Sequence, residues 1–145
     1  VETPTHVAAL LEFAAGTVAQ LGMSFDVAAH TQPWLEIHGT DGSIQFPDPN
    51  HFTGPVRFHA LYGKAWEETI PVHPVEIQRG MGLAEMAEAI ALKRPHLASA
   101  ELAFHVLEVM TAVLDAARTG RQIPVRSRPP VWKPLPEGVP AMVIP

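Results

Sequence analysis

The apolar residues of this chain change their period near residue 82, and that change constrains the fold more than any other feature. Before it they alternate, as strands require; beyond it they recur every three or four positions, as helices require. Residues 5–13 put Val7, Ala9, Leu11 and Phe13 on one face, with His6 and Glu12 on the other. Residues 17–27 put Ala19, Leu21, Met23, Phe25 and Val27 against Gln20, Ser24 and Asp26. Ala14-Ala15-Gly16 lies between them, and Gly takes positive φ at no steric cost, so the two runs predict a hairpin. One apolar and one polar face predict an antiparallel sheet covered on one side.

A third run follows Pro33, with Leu35 and Ile37 on one face and Trp34, Glu36 and His38 on the other. Gly39-Thr40-Asp41-Gly42 predicts a turn into a fourth strand at 43–46, which Pro47-Asp48-Pro49-Asn50 ends. Residues 56–61 and 68–72 are weaker strand candidates around Gly63. In the second half, Leu83, Met86, Ala87 and Ile90 share helical spacing, and Pro95 stops that helix. Ser99 is the predicted N-cap of a second helix, with Glu101 in its first turn, Arg118 in its last and Gly120 as its stop. Its expected apolar stripe is Leu102, Val106, Val109, Met110, Val113 and Ala117. Residues 123–128 are expected to return as an edge strand, and 129–145 to form a Pro-rich extended tail. The predicted fold class is α+β: an open-faced, mainly antiparallel sheet with two C-terminal helices packed on one face.

The totals exclude several functions. A chain of 145 residues, 47% apolar and 17% charged, is one folded domain rather than a disordered segment. With a net charge of −5 and three lysines, it carries no basic footprint for nucleic acid. No apolar run approaches the roughly 20 residues of a membrane-spanning helix, and no signal-peptide pattern opens the chain, so the cytoplasm is the expected location. The absence of cysteine removes disulfides, Cys-ligated metals and Cys nucleophiles.

Few residues then remain for chemistry. Gly80-Met81-Gly82 fails as a dinucleotide loop because Glu85 stands where a third glycine belongs, and Pro71-Val72-His73-Pro74 before it makes a poor strand. Eight histidines form no HExxH or HxH spacing; His51 and His59 could meet across a loop, and His105 reads as a packed helix residue. No GxSxG occurs. Glu85 and Glu88 read as a solvated helix face. Lys93-Arg94-Pro95-His96 suits either an anion or charge pairing at a helix end. Among the aromatics outside helical stripes, Phe52 and Trp66 are the candidates for ligand contact ahead of Trp34 and Trp132.

Three elements, taken in order, resemble a known family. They are Thr5-His6-Val7-Ala8-Ala9-Leu10-Leu11-Glu12-Phe13 with Gly16-Thr17; Leu35-Glu36-Ile37-His38-Gly39-Thr40-Asp41-Gly42-Ser43-Ile44; and the closing helices, from Gly82-Leu83-Ala84-Glu85 through Arg94-Pro95-His96 to residues 100–120. The chain looks like the C-terminal portion of the glucose–fructose oxidoreductase / inositol dehydrogenase / MocA group of NAD(P)-dependent oxidoreductases. The resemblance implies that residues 1–128 are part of a substrate and oligomerisation domain. It implies a parent, larger than a chain opening on Val1, that moves hydride between a nicotinamide and a sugar, inositol or related polyol. The parent's Rossmann domain, Glu-Lys-Pro segment and Gly-x-His-x-x-Asp helix are absent from these residues, and Lys133-Pro134 follows Trp132 instead. No catalytic, cofactor or metal residue therefore carries over, and the chain alone is expected to hold no NAD or NADP and to turn nothing over. Arg79, His96 and Phe52 are the expected substrate contacts. A homo-oligomer is expected through the sheet face of Val18, Gln20, Gly22 and Ser24. The alternative is a free-standing, non-catalytic binding or dimerisation module of the same fold. An unrelated enzyme with a His/Asp pair has no motif in its favour.

Overall fold

A computed structural model describes residues 2–51, 54–69 and 79–131. It contains six strands followed by two helices: β1 His6–Glu12, β2 Val18–Ser24, β3 Leu35–His38, β4 Gly42–Phe46, β5 Arg57–Ala60, β6 Glu67–Glu68, α1 Met81–Ala91 and α2 Ala100–Thr119. The class is α+β with antiparallel pairing, as the change of period predicts. Among the described residues the strands form two sheets: the β1–β2 hairpin and a meander in the order β3-β4-β5-β6.

The hairpin has the predicted facing. Val7↔Met23, Ala9↔Leu21 and Leu11↔Ala19 pair on one face, and Ala8↔Gly22, Leu10↔Gln20 and Glu12↔Val18 on the other. Gly16 turns the chain at φ 87, and Phe13 and Thr17 close the loop with a 2.9 Å backbone hydrogen bond. The second strand ends at Ser24, whose hydroxyl accepts the Asp26 N–H at 3.0 Å. That turn takes Phe25 off the pleat and leaves it 94% exposed.

In the meander, β4 lies between β3 and β5, and all five of its residues are half-buried. The last strand begins at Glu67; most of the expected 68–72 run lies outside the described residues, as does the tail from 132.

Both predicted caps of α2 are present. Ser99 Oγ accepts the Leu102 N–H at 3.2 Å, and Gly120 ends the helix in the left-handed region. The inner faces differ from the expected stripes. In α1, Ala89 is fully buried and Ala84, Glu85 and Met86 are half-buried, while Leu83 and Ile90 are exposed. In α2 the half-buried residues are Leu102, His105, Glu108, Val109, Ala112, Val113 and Ala116; Leu102, Val109 and Val113 of the expected stripe are among them, while Val106, Met110 and Ala117 face out. The reason is the segment after the helix. Residues 121–131 form no strand; they run extended along α2, with Ile123, Val125, Ser127 and Pro129 half-buried and their neighbours exposed. Pro124 has no N–H to give a sheet, and Glu108 of α2 takes the N–H groups of Arg126 and Ser127 at 3.0 and 2.9 Å.

Among the described residues, the extensive contacts between elements are those of paired strands; neither helix covers a sheet broadly. Gln122 Nε2 donates to Glu12 Oε2 at 3.0 Å, tying the end of α2 to the hairpin. Large apolar side chains stand in solvent: Leu10, Phe13, Val18, Phe104, Leu107 and Met110 are each more than half exposed. Such surface marks places where another surface docks. Among the described residues, no helix is long and apolar enough to cross a membrane.

Candidate functional site

Of the expected substrate contacts, Arg79 and His96 lie among the described residues. Arg79 precedes α1 and donates to Asn50 Oδ1 at 3.0 Å. His96 follows α1, in the turn that folds back beside Glu85, whose carboxylate accepts the N–H of the next residue, Leu97, at 2.9 Å. Phe52 lies outside the described residues.

The turn between the helices is held by charge. Arg94 donates from Nη1 to Glu85 and from Nη2 to Glu88 at 2.6 Å, and Glu85 Oε2 accepts the Leu97 N–H at 2.9 Å. The Arg94 hydrogen bond, then the Leu97 amide, holds the Glu85 carboxyl below its ordinary value; the same carboxylates raise Arg94. Glu85 and Glu88 are thus the partners of the basic turn rather than a merely solvated face. They occupy the guanidinium that an anion would need, so of the two readings of this turn the structure favours charge pairing. His96 Nδ1 is buried beside them with no hydrogen-bond partner among the described residues.

A second cluster fastens 121–131 to α2. Glu108 is lowered to about 2, first by the Ser127 hydroxyl, then by the Arg126 and Ser127 amides. His105 Nδ1 lies 2.7 Å from Ser127 Oγ. The order is imidazole–hydroxyl–carboxylate. A nucleophilic serine needs the imidazole in the middle, where the carboxylate can orient it. This arrangement is a fastening. Beside it lies an open depression of about 400 Å³ lined by Ala100, Glu101, Phe104, Ser127 and Arg128. In its lining, Arg128 Nη1 donates to the Val125 and Ser127 carbonyls at 3.1 and 3.0 Å.

The fastening has a pH dependence whose sign follows from Glu108. Its folded pKa lies below its ordinary 4.5, so its contribution is full above that value and is lost as pH falls toward about 2. Amide exchange at Arg126 and Ser127 is expected to accelerate over that window. Glu108→Gln is expected to show the fast exchange already at neutral pH.

The richest concentration of chemistry lies on one face of the meander. Paired residues on neighbouring strands point the same way. The register His38↔Ser43↔His59 therefore makes one cross-strand row, and Glu36↔Gln45↔Arg57↔Glu68 makes the next. His38 Nδ1 is 2.8 Å from Ser43 Oγ, Gln45 Nε2 donates to Glu36 Oε1 at 3.3 Å, and Arg57 Nη2 donates to Glu68 Oε1 at 3.3 Å. Trp66 packs on His59, edge to face, with ring centroids 5.4 Å apart. His51 does not reach His59; its Nε2 lies 3.8 Å from Asp48. Among the described residues no group of three or more His, Asp or Glu is arranged to hold a metal ion. Leu35, Ile37, Ile44 and Phe58 occupy the opposite face. The alternation of 34–38 already separated Glu36 and His38 from Leu35 and Ile37, but the partners on β5 and β6 needed the register.

Residues 1–45 match the GFO/IDH/MocA C-terminal domain. The match takes in β1, β2, β3 and all of β4 except Phe46, so it covers the first two of the three elements that carry the sequence resemblance. The recognition of a GFO/IDH/MocA C-terminal domain is borne out over that segment. Neither the curated proteins nor the solved structures gave a match to this chain. The polar face begins inside the GFO/IDH/MocA segment, with Glu36, His38, Ser43 and Gln45, and continues beyond it into β5 and β6.

Proposed function

We propose that this chain is the substrate-side and oligomerisation portion of an NAD(P)-dependent oxidoreductase acting on a sugar, inositol or related polyol. The observation that carries the reading is the GFO/IDH/MocA match across the hairpin and the β3–β4 pair. The exposed apolar surface supports it, because a hairpin and helices this bare call for a docking partner. In this reading hydride passes between a substrate carbon and a nicotinamide carried by a separate dinucleotide domain, and NAD or NADP is bound there. The residues here bind and orient the substrate. No residue of this chain is assigned a catalytic step, and Arg79, His96 and Phe52 remain contacts to test rather than a formed pocket.

The oligomer contact is the even-numbered face of the hairpin, where Val18, Gln20, Gly22 and Ser24 lie opposite Glu12, Leu10, Ala8 and His6. The small Ala8–Gly22 pair leaves it flat, with nothing within 4 Å of the position a Gly22 side chain would take. A flat, weakly apolar sheet face is suited to pairing with its own copy about a two-fold axis.

The test is to read the coding sequence adjoining this segment and to assay the whole polypeptide for NAD(P) reduction with myo-inositol and glucose. A strand–Gly-rich loop–helix in frame, with polyol-dependent reduction, is the expected result. A start codon directly before Val1 would sink the dehydrogenase reading and leave the non-catalytic binding module.

A further inference from the structure

We propose that the outer edge of β1 is an assembly surface: β1 pairs antiparallel with β1 of a second copy about a two-fold axis at Ala9, joining two hairpins into one four-stranded sheet. The contact rests on the oligomerisation reading above and adds to it a second interface, along the strand edge rather than through the sheet face.

The direction of the backbone groups leads to it. The β1–β2 register runs unbroken over seven residues. Phe13 donates its N–H to the Thr17 carbonyl at 2.9 Å, and Phe25 donates to the Thr5 carbonyl at 2.8 Å. The odd-numbered pairs are therefore the hydrogen-bonded ones of this ladder, and the even-numbered residues aim N–H and C=O away from β2. His6, Ala8, Leu10 and Glu12 are all exposed, and among the described residues their outward backbone groups have no partner. A two-stranded ribbon is marginal in water by itself. Strand edges that stay solvated are blunted by Lys, Pro or a bulge, and His6–Glu12 contains none of these.

The residues of β1 select a second copy as the occupant. Antiparallel pairing centred on Ala9 sets His6 against Glu12 of the second copy, Ala8 against its Leu10 and Val7 against its Leu11. Even residues then meet even residues, the parity that the outward N–H and C=O groups require. Both ends of the contact are His6–Glu12 pairs, so opposite charges meet twice about one axis. Gln122 holds Oε2 of Glu12, and Oε1 faces no partner among the described residues. Ala9 meets its own copy at the axis, where small side chains permit the close spacing of a non-hydrogen-bonded pair. Val7, Ala9 and Leu11, half-buried on the odd face, continue as one apolar strip across the joint. The edge of β2 has no such match: centred on Leu21, it sets Val18 against Ser24 and Gln20 against Gly22.

The size of the contact fixes its place in the assembly. Seven residues make an edge about 24 Å long at 3.4 Å per residue. One strand deep, it falls short of the about 1000 Å² that a lasting interface needs. It holds between chains already paired through the hairpin face, where two edge pairs act together. A face axis and an edge axis at right angles close an assembly of four chains.

The experiment combines sedimentation equilibrium with amide exchange on the 145-residue chain. Four chains are expected, with slow amides at His6, Ala8, Leu10 and Glu12 and fast amides at Val18, Gln20, Gly22 and Ser24. A sample of mixed isotopic labels is expected to show Hα contacts between Val7 of one copy and Leu11 of the other. His6→Asp sets like charges together and is expected to raise the dissociation constant of the four-chain species about tenfold. Glu12→Lys removes the same pairs. The two variants mixed are expected to recover the four-chain species that neither forms as well alone. Even-numbered β1 amides as fast as those of β2, slow amides without contacts between copies, or a mixture that recovers nothing would overturn the edge pairing. A two-chain mass with fast β1 amides would overturn the edge and leave the face contact standing, whereas single chains would sink the oligomerisation reading with it.

Discussion

Gly42→Ala is expected to cost the meander about 2–4 kcal/mol, the sum of an overpacked contact and a strained backbone. Gly42 opens β4 at φ 154, directly opposite Ala60 of β5. A Cβ there would clash with the His59 carbonyl oxygen and come within 3.0 Å of the Ala60 Cα. Both neighbours are backbone atoms of the paired strand, so no rotamer change can relieve the clash. The strands would have to separate at Gly42↔Ala60, where β5 turns toward Trp66. Chemical denaturation followed by circular dichroism should show the lower midpoint. Amide exchange should locate the loss in β4 and β5 while leaving β1–β2 protected.

Leu10→Arg is expected to convert the proposed oligomer to single chains. Leu10 is 70% exposed on the even-numbered face of the hairpin and pairs across the strands with Gln20. In a two-fold contact through that face, the same residue approaches from both copies, so each new guanidinium faces its own like charge. Sedimentation equilibrium should show a rise in the dissociation constant of at least about a hundredfold, since the substitution both removes a central apolar contact and buries unpaired charge. The fold itself should tolerate the change, because the half-buried face of the hairpin is the opposite one. An unchanged mass distribution would move the contact elsewhere, with the exposed Phe104–Leu107–Met110 side of α2 next in line.

Sequence legibility follows how local each cause is. The hairpin, the turn at Gly39–Gly42 and both ends of α2 could be read directly, because alternation, a turn glycine and a Ser99 cap act over a few residues. The inner faces of the helices could not. Leu102, Val106, Val109 and Met110 are equally apolar, and which of them faces inward depends on where residues 121–131 lie. That path is set by Glu108, which takes two amides 18 and 19 residues farther along the chain. Glu85 and Glu88 likewise read as a solvated face until the turn at Lys93 brings Arg94 back onto them.

The candidate site shows the same division. Glu36, His38, Ser43 and Gln45 lie within the part of the chain that the family match covers. Nothing in their spacing reveals that His59 and Arg57 stand beside them, because cross-strand register depends on the Gly42 contact and the turn at Gly63. By itself the sequence determined the α+β class, the hairpin and the caps of α2, since periodicity and turn chemistry are properties of neighbouring residues. The tertiary structure alone decided that the described strands form two sheets, that α2 turns His105 and Glu108 toward the segment after it, and that Trp66 joins a row of polar side chains. Those outcomes depend on pairing and packing between residues far apart in the chain, where local propensity has no say.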